Sequence, residues 1–334
     1  MRKTVMIKHE YPFDPTNGYT PEQLLAVRGP EEPVGFKEFW EETYSLVRAM
    51  TPTYFIEREL WSPNAGERIY RVRVKNWDNT EFVMTIARPE KSLGGLVIGQ
   101  GYGNPSGPVT SEFGLTTAFA CVRGLGLSQC KDIPWDTKKH VVHGIASKET
   151  YILRGVITDQ WMTASVMMDM FPDTAENLNY RGTSMGGGMG ALLLPWDARF
   201  KAAWLDIPTF GAEIRFDHQS VGSGESCRKY LLDHPEARKV LAWFDASAAA
   251  KYIRIPVCIT PANFDPCVAP VGQFSIANAV PESYKTLFIR ETGHFQLTGT
   301  DKKQLEKVDA WCREVFTAKD KTAAAAGQKQ EPIS

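Results

Sequence analysis

The chain has 334 residues, 43% hydrophobic and 23% charged, the ordinary balance of a globular enzyme. Lys and Arg number 38 against 39 Asp and Glu, so net charge is −1 and no basic surplus exists to recruit nucleic acid or an anionic membrane. No stretch approaches the roughly 18 apolar residues of a membrane helix.

The opening "MRKTVMIKHEYPFDP" is interrupted by Lys8, His9 and Glu10, so it lacks the apolar core of a signal peptide. Six cysteines (Cys121, Cys130, Cys227, Cys258, Cys267, Cys312) show no C-x-x-C spacing. They read as reduced thiols of a cytoplasmic protein.

Within an N-terminal extension over 1–66, "GFKEFWEETYSLV" (35–47) places Phe36, Phe39, Trp40 and Val47 on one helical face. "RIYRVRVKNW" (68–77) and "EFVMTIARPE" (81–90) alternate apolar and polar residues and read as an antiparallel hairpin. Six short apolar runs then lead into Gly, Asn, Asp or Ser at or near their ends: 94–104, 117–128, 177–184, 200–208, 255–265 and 284–294. Helical patterns lie between several of them, notably 154–171 and 302–316. In the first, Met162, Met167, Met168 and Met170 form a stripe suited to core packing.

This alternation specifies an α/β fold, a mostly parallel sheet covered by helices on both faces. Residues 209–250 read as a helical insertion before the last two strands. One domain is expected over 1–318, and an unstructured tail from about 319.

"LNYRGTSMGGGMGALLL" (178–194) carries Gly182-Thr183-Ser184-Met185-Gly186 between a strand and a helix. That is the G-x-S-x-G nucleophile elbow of the α/β-hydrolase fold. A serine hydroxyl needs a base, and His294 in "RETGHF" directly follows the last predicted strand. Asp265, after the preceding strand, is the expected acid, with Asp206 in "WLDIP" as the alternative. Chain order Ser184, Asp265, His294 is that of the fold.

An oxyanion needs two donors aimed at it. The N–H of Met185, after the nucleophile, supplies one, and that of Tyr102 in "GQGYGN" the other. His140 and His143, without a Glu or Cys cluster, read as loop hydrogen-bonding residues rather than metal ligands. His9, His218 and His234 follow no sheet strand. No metal or cofactor is expected.

The sequence resembles the acetyl xylan esterase and cephalosporin C deacetylase family, carbohydrate esterase family 7, over almost its whole length. Beside the elbow, "GQGYGN", "VRGLGLS", "HGIASKETYILRGVITD", "YLLDHPEARKVLAWFDASAAAKYIRIPV" and "NFDPCVAP" carry the likeness. The resemblance implies a cofactor-free serine esterase that removes acetyl groups from sugars or small molecules, often as a hexamer. It places nucleophile, acid and base on Ser184, Asp265 and His294, and the oxyanion donors on Tyr102 and Met185.

Three positions depart from the family's Arg-Gly-Gln, Ser-Gln-Gly and His-Glu: Arg123-Gly124-Leu125, Ser184-Met185-Gly186 and His294-Phe295. With Phe210, the apolar replacements Leu125 and Phe295 are expected to line the substrate pocket, and Met185 to add to its apolar character. Propionyl or butyryl esters are then expected to react at least as well as acetyl. The rival readings are a catalytically inactive binding protein and an amidase or acyltransferase with the same triad.

Overall fold

The computed structural model describes residues 7–103 and 109–327. Two helices lead in, α1 (Pro21–Ala26) and α2 (Phe36–Arg48). Five strands follow: β1 (Thr53–Leu60), β2 (Arg68–Lys75), β3 (Glu81–Arg88), β4 (Gly95–Gly99) and β5 (Thr116–Cys121). Next come α3 (Thr137–His140), α4 (Ile152–Met170), β6 (Leu178–Thr183), α5 (Met185–Leu193) and β7 (Phe200–Asp206). Helical pieces α6 (Ser223–Asp233), α7 (Arg238–Leu241) and α8 (Ala246–Ala250) occupy the stretch before β8 (Val257–Thr260) and β9 (Ala262–Phe264). The chain continues through α9 (Pro270–Ala279), β10 (Lys285–Leu287), β11 (Arg290–Thr292), α10 (Gly299–Thr317) and α11 (Lys321–Gly327).

Nine strands form one sheet in the order β1-β2-β3-β5-β4-β6-β7-β8-β10. The pairs from β1 to β5 are antiparallel, and those from β5 through β4 to β10 are parallel. Side chains of a strand alternate between faces, and the core divides accordingly. Val97 of β4 and Ala118 and Ala120 of β5 join the apolar cluster that includes α2, α4 and α5. Leu96, Ile98, Phe119 and Cys121 face the opposite cluster, filled by Val308, Trp311, Cys312, Val315 and Phe316 of α10. The spacing of those five α10 residues is the apolar stripe of an amphipathic helix.

In α2, Phe36, Phe39, Trp40 and Val47 are buried, and the hairpin of β2 and β3 pairs in register from Arg68↔Arg88 to Lys75↔Glu81. Met162 and Met167 are fully buried in the core, with Met168 and Met170 packed partly against it.

The structure departs from the sequence reading in four places. "TYFIEREL" forms β1, an additional strand at the sheet edge, whose mixed exposure hides the period-two signal. The run 255–265 splits at Pro261, which has no N–H to donate to a ladder. The run 284–294 divides likewise, and β9 and β11 pair as a separate two-stranded parallel sheet. Residues 321–327, assigned to an unstructured tail, form α11. Alanine is the strongest helix former, and Lys321 Nζ donates to the carbonyls of Val315 and Phe316 at 2.8 Å each. Residues 328–334 of that expected tail lie outside the described residues.

Candidate active site

Ser184 stands between β6 and α5 with φ 59° and ψ −116°. A non-glycine residue there costs about 1–3 kcal/mol and persists only where surrounding bonds over-determine it. Here they do. The Ser184 N–H donates to the Asp206 carbonyl at 2.9 Å, and its own carbonyl accepts from Gly188 and Thr209 at 3.0 and 3.2 Å. The turn closes because a Cβ at Gly182 would strike the Gly186 backbone, and one at Gly186 would strike the Gly99 carbonyl.

The expected acid and base follow the strands of the small second sheet. Thr292 of β11 registers with Phe264 of β9, and Gly293 N–H donates to the Phe264 carbonyl at 2.8 Å. The residues that leave these strands are Asp265 and His294. His294 Nδ1 lies 2.8 Å from Asp265 Oδ2, and His294 Nε2 lies 3.0 Å from Ser184 Oγ. A carboxylate only accepts, so the Nδ1 atom carries the proton and Nε2 is free to accept from the serine.

Asp265 is almost fully buried and filled with donors. Oδ1 accepts from the N–H groups of Cys267 and Val268 at 2.8 and 2.9 Å, and Oδ2 also accepts from Gln273 Nε2 at 2.8 Å. The base has its own brace. Asp301, buried at the start of α10, accepts from the N–H of Glu291 at 2.7 Å and from the Thr292 hydroxyl at 2.6 Å. Burial acts to lower the His294 pKa, but the charge and hydrogen bond of Asp265, with help from Asp206, raise it above the ordinary histidine value.

The alternative acid is committed elsewhere. Asp206 Oδ1 accepts from Thr260 Oγ1 at 2.7 Å and from Arg290 Nη1 at 2.9 Å.

The two expected oxyanion donors, Tyr102 and Met185, follow neighbouring strands. Gly99 of β4 registers with Gly182 of β6, so Tyr102 and Met185 each lie three residues beyond one matched pair. Met185 is the first residue of α5, where N–H groups have no intrahelical acceptor and the helix dipole is positive. The Tyr102 hydroxyl meets His140 Nδ1 at 2.9 Å, and His140 Nε2 meets the Arg123 carbonyl at 3.0 Å.

The expected pocket residues scatter. Leu125 and Met185 are packed into the main core cluster at 5% and 0% exposure, so neither side chain offers open apolar surface. Phe210, at φ 73°, lines a void of about 20 Å³ with Tyr151, Cys227 and Phe244, room for about one water. Phe295 is half-buried, its ring tilted against those of Phe264 and Tyr11 at 5.2 and 6.3 Å between centroids.

Asp265, Cys267 and His294 offer ligand atoms within 4.8 Å of one another. Burial and the Asp265 charge push the Cys267 thiol up to about 12, so it is a neutral thiol at neutral pH. The other two atoms are engaged with each other. Of the remaining histidines, His234 stacks on Tyr230 and His218 lies edge-on to Tyr19, while His143 stays half-buried beyond α3.

The sequence reading missed Gln273, Arg290 and Asp301. Asp301 had a legible signal, because Thr298-x-x-Asp301 is a capping box. Gln273 and Arg290 had none: Gln273 reaches Asp265 through no recognised motif, and Arg290 reaches Asp206 across the fold.

The model of the acetyl xylan esterase family matches residues 20–313. Among solved structures, acetyl xylan esterase 1 from Thermoanaerobacterium sp. JW/SL YS485 superposes with TM-score 0.75 at 18% identity, covering 86% of this chain and 97% of that one. An acetyl xylan esterase from Paenibacillus sp. R4 gives 0.73 at 17%, covering 87% and 99%. A cold-adapted esterase from an Arctic intertidal metagenomic library gives 0.51 at 13%, covering 79% and 98%. Together with the elbow and the mostly parallel sheet, these findings define an α/β-hydrolase, and the chain belongs to the acetyl xylan esterase family of carboxylic ester hydrolases.

Proposed function

We propose that the protein is a serine esterase that removes acetyl groups from sugars and comparable small alcohols. The observation that carries this reading is the continuous Ser184–His294–Asp265 hydrogen-bond chain at a strained elbow. His294 Nε2 takes the Ser184 proton as Oγ attacks the ester carbonyl carbon. The oxyanion of the tetrahedral intermediate is received by the backbone N–H groups of Met185 and Tyr102. As the intermediate collapses, His294 returns the proton to the departing alcohol oxygen, leaving acetyl-Ser184. A water then gives its proton to His294 and attacks that ester, releasing acetate and restoring the serine. Asp265 holds the Nδ1–H tautomer and faces the imidazolium charge throughout.

We read the protein further as a cytoplasmic homo-oligomer, by the family's habit a hexamer. In support, edge strand β1 and the residue following it expose Phe55 at 67% and Trp61 at 82%, and no described helix is long and apolar enough to cross a membrane. Light scattering of the purified protein measures the assembly.

The activity is tested with p-nitrophenyl acetate and acetylated xylo-oligosaccharides, following acetate release, and with a fluorophosphonate probe. Release of acetate together with labelling confined to Ser184 is expected. Absence of both would leave a binding protein on a hydrolase fold.

A further inference from the structure

The segment that carries Tyr102 is flanked by Gly101 and Gly103, neither of which restricts its backbone. An oxyanion donor must be pre-aimed, and a misplacement near 1 Å costs about a hundredfold in rate. Something other than the local chain must hold Tyr102 still.

The fold supplies side-chain anchors. Gln100 ties the start of the loop to the end of β5, its Oε1 accepting from Val122 N–H at 2.8 Å. Beyond it, the Tyr102 hydroxyl meets His140, which is fully buried at the end of α3. The direction of these bonds follows from their ends. The Arg123 carbonyl can only accept, so His140 Nε2 carries the proton, and Nδ1 accepts from the Tyr102 hydroxyl. Arg123 itself is immobilised: its N–H and Nε donate to Asp159 Oδ2 at 3.1 and 3.0 Å, its Nη2 to Asp159 Oδ1 at 2.8 Å, and its Nη1 pairs with Asp78. Asn76 Nδ2 adds a further donor to Asp159 at 2.8 Å. The hydroxyl of the glycine-flanked residue is therefore anchored, through one imidazole, to the backbone of Arg123, whose side chain is held by Asp159 of α4 and by Asp78.

We propose that His140 is a positioning residue that holds Tyr102, by its hydroxyl, with the backbone N–H aimed at the oxyanion. It touches no substrate. The inference rests on the esterase reading and on the Tyr102 oxyanion role. It explains why a tyrosine, rather than any residue with an N–H, stands at this position.

The test measures kcat and KM for p-nitrophenyl acetate, with kcat normalised to active sites titrated by the fluorophosphonate. Tyr102→Phe removes the hydroxyl and leaves the N–H. His140→Leu removes the acceptor, and His140→Gln keeps both an acceptor and a donor. Tyr102→Phe and His140→Leu are each expected to lower normalised kcat about tenfold or more with KM within about twofold. The double variant is expected to be no slower than the slower single, because both break one link. His140→Gln should recover part of the loss, and His143→Leu, three residues on, should behave as the parent.

A purely structural role would lower Tm and the titratable fraction and leave normalised kcat unchanged. That result, or losses that multiply in the double variant, overturns the proposal. If His140→Leu does not fold, the Tyr102→Phe and His140→Gln pair decides: parent-like kcat in both overturns it. A parent enzyme that neither hydrolyses the ester nor takes the probe overturns the esterase reading, and this inference with it.

Discussion

Asp206 and Arg290 form a buried ion pair at 2.9 Å, and that pairing withdraws Asp206 from the competition for His294. Both carboxylates end a sheet strand, so position along the chain does not distinguish them. The partner does.

Asp265→Asn is therefore expected to lower kcat by about 10⁴, since the histidine loses its tautomer and its counter-charge. Asp206→Asn should cost far less activity but leave Arg290 buried without its charge partner, lowering Tm. Because Asp206 contributes to raising the His294 pKa, its removal should also move the acid limb of kcat/KM to lower pH. A larger kcat loss in Asp206→Asn than in Asp265→Asn would reverse the assignment.

Ser184→Ala removes the only atom that forms the acyl-enzyme. Hydrolysis should fall by about 10⁴ or more, with circular dichroism unchanged and probe labelling abolished. Activity within tenfold of the parent would place the nucleophile elsewhere.

The base works only when neutral. Sequence alone places the acid limb of kcat/KM near the free histidine value of about 6.5. The structure raises the His294 pKa, so the limb should lie above that value, with activity lost as pH falls through it. A midpoint below about 6 would show that Asp265 does not face the imidazole in solution.

Acyl preference should follow the packing rather than the composition. Leu125 and Met185 are sealed in the core, so their apolar character offers a longer acyl chain nothing to bury against. The expectation of equal or better propionyl and butyryl turnover is revised accordingly: kcat/KM should fall steadily from acetyl through propionyl to butyryl esters of p-nitrophenol. A rise along that series would mean that the two side chains become accessible to substrate.

His140 also predicts an acid sensitivity. Burial lowers its pKa to about 4. A histidine depressed in the folded state makes the protein less stable below its unfolded pKa, because the unfolded chain binds a proton that the folded one refuses. The stability advantage of the parent over His140→Gln should shrink by about 2 kcal/mol between pH 7 and pH 5. Denaturant melts at the two pH values measure it, and an unchanged difference would refute the depressed pKa.

The sequence by itself determined the elbow that presents Ser184, because the G-x-S-x-G turn is local: its glycines, serine and flanking apolar runs are contiguous, and the positive φ falls on the serine itself. It likewise determined the parallel sheet and the α2 and α10 faces, whose apolar spacing records which side is buried. Asp265 and His294 were legible as strand-end residues, but not their contact. That depends on the register of β9 and β11, which pair only after Pro261 breaks the longer run. The tertiary structure alone decided that Asp206 belongs to Arg290, that Gln273 and Asp301 brace the acid and base, and that Leu125 and Met185 face the core. It also brought His140 between Tyr102 and Arg123, 38 and 17 residues away along the chain. Hydrogen bonds and burial across such separations leave no periodicity in a single sequence, because each partner is chosen by the fold rather than by its neighbours.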